Sequence, residues 1–156
     1  MDTRDVMIQI SDCAQISREH SLQAAIIMLS AVRRRLRDTE FRPRFVLVHD
    51  DHYRIVGVLQ ESEILHALAK GAKKTPVTLS EMIATAPRIT AGDAMVPYGQ
   101  AGSIDAEAPV EEAIEKMLGG PFRHLLVTDG DTTVGIIRLS EIFAMVTKNV
   151  FRAVQD

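Results

Sequence analysis

The chain has 156 residues, of which 46% are hydrophobic and 25% are charged, values typical of a soluble globular protein. The net charge of −3 at pH 7 argues against a broad affinity for nucleic acid or anionic lipid. Cys13 is the only cysteine, which excludes an intrachain disulfide, and no apolar segment reaches the ~20 residues that a membrane span needs. The acidic N-terminus carries no secretory signal, so the sequence predicts a cytoplasmic protein.

The first half of the chain predicts a helix, a hairpin and a second helix. Apolar residues recur at helical spacing after Ser17 and Ser21, so either serine is expected to cap the first helix. Ser62 is expected to open the second helix, which ends near Gly71. The strands of the hairpin and the turn between them are predicted at residues 45–48, 55–59 and 50–52.

The second half predicts the same order after a linker over residues 71–92, which carries a short helix at 78–83. Asp105 is expected to cap a helix with Pro109 in its first turn. Ser140 is expected to cap the last helix. The intervening strands and their turn are predicted at residues 124–128, 133–137 and 129–131.

The sequence contains an internal repeat of two similar copies. Asp5-Val6-Met7 recurs 88 positions later as Asp93-Ala94-Met95, and GVLQESEI at 57–64 matches GIIRLSEI at 135–142 at an offset of 78. The shorter offset means that the first copy carries about ten extra residues, within an arginine-rich insertion near residues 33–43. We therefore predict an α+β fold in which two βαββα repeats, at 1–70 and 93–156, pack as a pseudo-twofold pair.

These residues resemble a known family. The order of elements, the Asp-x-Met opening and the Gly-apolar-apolar run into a helix are similar to the cystathionine β-synthase (CBS) domain, and two in tandem resemble a Bateman module. RHLLVTD at 123–129 resembles the family's arginine/histidine-apolar-Pro-Val-x-Asp strand, with Leu126 where Pro is common. DAMVP at 93–97 resembles its entry motif. The resemblance covers nearly the whole chain, apart from the linker and the insertion.

The resemblance implies two units packed through their sheets and a homodimer formed head to head or head to tail. It also implies that an adenosine ligand (AMP, ADP, ATP or S-adenosylmethionine) binds in the clefts between the copies. Family members pass ligand occupancy to an attached enzyme, channel or transporter. No such domain is attached in this sequence, so the expected effector is another protein.

The resemblance also points to a ligand motif from which this chain departs. In ligand-binding members the Gly-apolar-apolar run continues as Thr/Ser-x-x-Asp, whose carboxylate accepts hydrogen bonds from ribose and whose hydroxyl helps to hold phosphate. Here Gln60 and Arg138 stand at the Thr/Ser position, and Glu63 and Glu141 at the Asp position. Each Glu is either a ligand contact or a helix cap, since a carboxylate is stabilised at a helix N-terminus. Arg138 either clamps a phosphate or pairs with Glu141.

Five further residues are candidate ligand contacts by resemblance. Arg44 and Arg123 each precede a buried strand, where an arginine could approach a phosphate or be an exposed strand end. His124 follows Arg123 in the same motif. Ile16 and Ile104 would line the base pocket, although each would also suit the core.

The remaining patterns give weaker indications of a binding, metal or catalytic site. The arginine-rich insertion is interpreted as a solvated helix extension, with an anionic ligand, an acidic protein partner or nucleic acid as alternatives. HDDH at 49–52 predicts no metal site, because side chains diverge in a hairpin turn. We find no nucleophile with an orienting histidine, so no enzyme is predicted. The arginines of this region are Arg33, Arg34, Arg35, Arg37, Arg42 and Arg44.

The leading hypothesis from the sequence is a regulatory module that senses a ligand. It would bind an adenine nucleotide, or a similar anionic small molecule, and signal through its dimer to an effector protein. Arg123, Arg138 and Glu141 favour binding by the second copy. The alternative is a ligand-free module for structural dimerisation or for adaptor contacts.

Overall fold

The computed structural model describes residues 1–35, 44–97, 99 and 102–156. Of the arginine-rich insertion, Arg37 and Arg42 therefore lie outside the described residues. The helices are α1 (Thr3–Val6), α2 (Leu22–Arg35), α3 (Glu61–Ala72), α4 (Leu79–Thr85), α5 (Ala91–Ala94), α6 (Val110–Gly119) and α7 (Leu139–Gln155), with 3-10 turns at Ile10–Asp12 and Ala86–Arg88. The strands are β1 (Ile8–Gln9), β2 (Gln15–Ser17), β3 (Phe45–His49), β4 (Ile55–Gln60), β5 (Val96–Pro97), β6 (Ser103–Asp105), β7 (His124–Asp129) and β8 (Thr132–Arg138).

The predicted order of elements is confirmed in both copies. The first copy runs β2-α2-β3-β4-α3 and the second runs β6-α6-β7-β8-α7. In each copy the first two strands are parallel and the hairpin is antiparallel. The described residues form two four-stranded sheets, in the orders β2-β3-β4-β5 and β1-β8-β7-β6, which confirms the α+β class.

The opening segment of each copy belongs to the sheet of the other copy. β1 pairs with β8, and β5 pairs with β4. The chain accordingly divides into one compact unit of residues 13–97 and another of residues 1–12 together with 98–156. The boundaries predicted at 1–70 and 93–156 follow the sequence repeat, whereas the compact units exchange its two opening segments.

Glycine is required where each opening strand crosses the hairpin. A side chain at Gly57 would lie 2.7 Å from the carbonyl oxygen of Val96 and 2.8 Å from Met95 Cγ. Gly135 makes the same close approach to the Ile8 carbonyl and to the side chain of Met7. The Asp-x-Met opening and the Gly-apolar-apolar run therefore recur together because they form one packed contact.

Each unit has its own aliphatic core. Ile16, Leu22 and Val48 are among the residues that fill the core of unit 13–97, and Ile104, Val127 and Ile137 are among those of the other unit. Burial of aliphatic side chains at roughly 25 cal/mol per Å² provides most of the favourable free energy of folding. Phe45 is the one aromatic side chain among the largest fully buried residues described.

The predicted helix caps are confirmed in part. Ser21 Oγ accepts a hydrogen bond from the backbone N–H of Ala24 at 3.1 Å, which selects Ser21 over Ser17 as the cap of α2. In the linker, α4 confirms the predicted short helix, and Thr78 Oγ1 accepts from the N–H of Glu81 at 3.3 Å.

Two predicted caps are wrong, whereas Ser62 lies in the first turn of α3, which it was predicted to open. Ser140 lies inside the first turn of α7, whose N-cap residue is Arg138. The reason is that β8 remains paired to its last residue, so the chain passes from strand to helix without an intervening loop. Asp105 lies in β6, where its carboxylate accepts from the N–H of Glu107 at 2.8 Å and shapes a turn before α6.

Candidate functional site

In unit 13–97, the predicted contacts meet at the end of the sheet where β3 begins. Phe45 pairs with Gln60, so Arg44 and the end of β4 lie at the same edge. Glu63 lies in the first turn of α3, directly after Ser62. The strand pairing thus brings Arg44 close to Gln60 and Glu63, which lie 16 or more positions later in the sequence.

The Glu63 carboxylate makes a local contact. Its Oε2 atom accepts a hydrogen bond from Ser62 Oγ at 3.1 Å. Within the described residues, the N-terminus of α3 has no side-chain cap hydrogen bond, and Gln60 is its N-cap residue. Capping therefore does not account for Glu63 in the way that it accounts for its counterpart Glu141.

The equivalent end of the other sheet carries Arg123, His124, Arg138 and Glu141. His124 pairs with Arg138 across β7 and β8, and Glu141 lies in the first turn of α7. Arg123 is exposed, whereas His124 is buried at 5% exposure. The predicted copy-two residues are thus neighbours at one edge of the sheet.

Arg138 and Glu141 form a chelated ion pair. Glu141 Oε2 accepts from the backbone N–H of Arg138 at 2.8 Å and from its Nε–H at 3.0 Å. Glu141 Oε1 accepts from a terminal guanidinium N–H at 2.6 Å and from Nε–H at 3.2 Å. Both side chains are only 14% exposed. Of the alternatives considered from the sequence, the structure shows Arg138 paired with Glu141 and Glu141 capping α7.

The side chains of Ile16 and Ile104 belong to the two cores. They are 2% and 3% exposed, in β2 and β6 respectively. Each strand lies parallel to the first strand of its hairpin, where Ile16 pairs with Val48 and Ile104 with Val127. Core packing therefore accounts for both isoleucines.

A polar pocket of about 440 Å³, which was not predicted from the sequence, lies at the opposite end of the first sheet. Ser17, His49 and Tyr53 are among its lining residues, and the His49 and Tyr53 rings are 5.0 Å apart. The only sequence signal was the turn motif HDDH. Among the described residues, no group of three or more His, Cys, Asp or Glu side chains is arranged to hold a metal ion.

Asp50 organises the turn beside this pocket. Its Oδ1 accepts from the backbone N–H groups of His52 at 2.8 Å and Arg54 at 3.0 Å, and its Oδ2 accepts from Arg54 Nε–H at 3.1 Å. Burial raises the pKa of Asp50, but these hydrogen bonds and the Arg54 charge outweigh it, so the pKa lies below its ordinary value of 3.8. Asp50 thus stabilises the turn as an ionised hydrogen-bond acceptor.

An apolar groove of about 550 Å³ lies between α2 and α3. Leu29, Ile64 and Leu68 form its buried floor, and the exposed Leu65 lies at its rim. Arg33 at one end pairs with Glu61 at 3.2 Å, while Arg34 and Arg35 are exposed at the end of α2. The described part of the arginine-rich segment is thus a helix extension.

Helix α7 carries a second exposed apolar surface. Phe143, Val146 and Val150 recur at helical spacing and are 72%, 45% and 56% exposed. Phe143 and Val146 occupy the repeat positions of Leu65 and Leu68, so both compact units present helical apolar surfaces. Within residues 1–35, 44–97, 99 and 102–156, no helix is long and apolar enough to cross a membrane.

Residues 91–148 match the family model described as the CBS domain. The whole chain also matches the structure of the CBS-pair protein CBSX2 from Arabidopsis thaliana, with a TM-score of 0.69 and 21% identity over 99% of this chain and 97% of that one. The chain has the CBS-pair fold. The match to the CBS family model lies in the second copy, and the first copy has the same order of elements.

Two further structures with the CBS-pair fold were solved with a nucleotide. CBSX2 in complex with AMP matches with a TM-score of 0.67 and 19% identity over 94% of this chain and 96% of that one. A CBS domain protein from Pyrobaculum aerophilum complexed with AMP matches with a TM-score of 0.65 and 16% identity over 90% and 89%. At these identities the matches show the fold. No curated protein matches the sequence significantly.

Proposed function

We propose that this CBS pair is a regulatory module that binds an adenine nucleotide, or a similar anionic small molecule, and signals to a partner protein. The observation that carries the proposal is the meeting of Arg123, Arg138 and Glu141 at the edge of one sheet. Arginine is well suited to phosphate because its planar guanidinium donates two parallel hydrogen bonds. The AMP-bound structures of CBSX2 and of the Pyrobaculum protein support this ligand class.

The first copy offers a second candidate site with different chemistry. Arg44 lies beside Gln60, whose amide can both donate and accept, and Glu63 can accept from hydroxyl groups. This combination suits a nucleoside whose hydroxyl groups face Glu63. The extra methylene of Glu relative to Asp shifts the carboxylate oxygens by more than a bond length, so the position of the sugar is expected to differ from that in family members with Asp.

The signal is proposed to pass through a homodimer. The apolar surfaces of α3 and α7 leave large side chains exposed, of which Leu65 is 56% and Phe143 is 72% exposed. Contiguous exposed apolar surface is typical of protein interfaces. A ligand shifts the equilibrium between two arrangements of such a dimer only if it binds them with different affinities.

The alternative function is a structural dimerisation or adaptor module without a ligand. The observation that favours it is the Arg138–Glu141 pair, in which each group already satisfies the other. Such a site can be stable without any ligand. The exposed apolar helices serve this function equally well.

Thermal unfolding of the whole chain with AMP, ADP, ATP or S-adenosylmethionine tests the choice. A ligand present at 100 times its Kd adds about 2.7 kcal/mol to the free energy of unfolding, which raises Tm by several degrees. A shift with one of these ligands supports the sensor. No shift with any of them at millimolar concentration contradicts it and favours the adaptor.

A further inference from the structure

The two copies differ at the first residue of the expected ligand motif. Gln60 and Arg138 occupy equivalent places at the end of a strand, and each is followed three residues later by Glu. In the first copy, Glu63 Oε2 accepts a hydrogen bond from the neighbouring Ser62 Oγ. In the second copy, four hydrogen bonds join Glu141 to a single residue, Arg138.

Both oxygens of the Glu141 carboxylate are already engaged by Arg138, so a sugar would have to compete for them. The backbone N–H, the Nε–H and a terminal guanidinium N–H of Arg138 are the three donors, and the Nε–H is shared between the two oxygens. A ribose diol would have to displace a guanidinium whose positive charge also attracts the carboxylate, and its hydroxyl groups bring no charge of their own. A neutral hydroxyl ligand therefore gains little at this end of the sheet.

An oxyanion is expected to compete for Arg138 better than a sugar competes for Glu141. It can replace Glu141 as the acceptor of the guanidinium, and so exchanges one charge-assisted bidentate pair for another. A phosphate monoester carries more charge than a carboxylate at pH 7 and has three acceptor oxygens. The exposed Arg123 lies at the same edge and adds a second positive charge.

We propose that the Arg138–Glu141 pair is an exchangeable latch, which opens when a phosphoryl group takes the Arg138 guanidinium from Glu141. The latch makes the second-copy site selective for phosphorylated ligands, while the Gln60–Glu63 site has no such requirement. The proposal rests on the proposed function in one respect only, that the ligand binds at this edge of the sheet.

Opening the latch acts directly on α7. The backbone N–H of Arg138 donates to the same Glu141 oxygen that accepts from its Nε–H, so the ion pair and the helix cap share one carboxylate. Ligand binding therefore changes the first turn of the helix that carries Phe143 and Val146. The latch joins a phosphoryl group to the surface proposed for the dimer.

Isothermal titration of the whole chain with inorganic phosphate and with AMP tests the latch. Glu141→Gln removes the competing charge, and we expect it to raise phosphate affinity roughly three- to tenfold. Glu141→Asp keeps the charge but shortens the side chain, so it should raise the affinity in the same direction if the Gln variant fails to fold. Arg138→Gln should abolish the gain when combined with either change.

Glu111→Gln is the matched control. Glu111 is an exposed carboxylate in the first turn of α6, in the same compact unit, so its change removes an equal charge with no contact to Arg138. Phosphate affinity that rises equally in this control shows a general charge effect and overturns the latch. Affinity that is unchanged by both Glu141 variants, or an absence of phosphate binding in all variants, also overturns it.

The latch and the proposed function can fail separately. If the unaltered chain binds AMP but the Glu141 variants bind phosphate no more tightly, the sensor stands and the latch is wrong. If the Glu141 variants gain phosphate affinity through Arg138 but the unaltered chain binds none of the adenosine ligands, the latch stands and the adenine nucleotide is wrong.

Discussion

Glu141 and Glu63 occupy equivalent positions in the two copies but make different contacts. Glu141 caps α7 and pairs with Arg138, whereas Glu63 contacts the adjacent Ser62. The difference arises three residues earlier, where Arg138 offers a cation and Gln60 offers an amide. The residue before each helix thus determines what its first-turn carboxylate can bind.

We predict that Glu141→Ala destabilises the chain by about 1–2 kcal/mol, because it removes a helix cap and leaves a largely buried guanidinium without its carboxylate. Glu63→Ala is the control and should cost no more than about 0.5 kcal/mol, as expected for a surface substitution. Chemical denaturation measures both values. Equal costs would contradict the different roles assigned to the two residues.

Asp50 predicts a pH-dependent contribution to stability. Its pKa is lowered on folding, so its contribution is present above the ordinary value of 3.8 and is lost as the pH falls through the folded-state pKa. We expect Asp50→Asn to lower the urea midpoint at neutral pH and the difference from the unaltered chain to shrink in acid. Asp131→Asn, in the exposed turn of the other hairpin, is the control. A difference that is constant with pH would exclude this role for Asp50.

At the scale of elements, the short opening strands depend on a glycine in each hairpin. We predict that Gly135→Ala destabilises the chain by about 1–3 kcal/mol, because the added methyl group overlaps the Ile8 carbonyl and the Met7 side chain. Gly57→Ala should do the same through Val96 and Met95. Denaturant titration gives both costs.

Gly119→Ala is the control for the glycine series. Gly119 ends α6, and a side chain there would meet no atom within 4 Å. We expect its stability to be unchanged or slightly higher, since alanine is the better helix former. Loss of stability in this variant comparable to that of Gly135→Ala would argue against a close-contact explanation.

The elements that could be predicted from sequence are those with local causes. Apolar spacing predicts α2 and α6, and the turns 50–52 and 129–131 mark both hairpins. The predicted cap Ser140 was wrong because strand pairing extends to Arg138, which a local pattern cannot show. Tertiary pairing therefore overrides cap propensity at this junction.

The exchange of opening strands had no local signal. The Asp-x-Met repeat identified equivalent segments but not their partners, because β1 and β8 are far apart in sequence. For the candidate site, the sequence predicted that Arg138 and Glu141, which are three positions apart, face one another or a ligand. Choosing between those outcomes required the side-chain geometry.

At the scale of the whole molecule, the exposed apolar helices lead to a prediction about assembly. We expect Phe143→Asp to convert the proposed homodimer into monomers, because a carboxylate in an apolar interface lacks a partner. Analytical ultracentrifugation measures the change. Tyr53→Asp replaces a comparably exposed aromatic residue in a turn, 79% against 72%, and should leave the mass unchanged. A Phe143→Asp dimer as stable as the original would place the interface elsewhere.

The exchanged opening segments also set an order in which the chain can complete its parts during synthesis. Arg4 contacts Asp129 across 125 positions, so residues 1–12 are synthesised well before the hairpin with which they pair. Unit 13–97 can complete its fold once β5 has been synthesised, whereas residues 1–12 can pair only after the second hairpin has been synthesised. Engineered fragments should follow the same logic: a cut within residues 71–92 parts β5 from its sheet, whereas a cut after residue 97 keeps unit 13–97 whole.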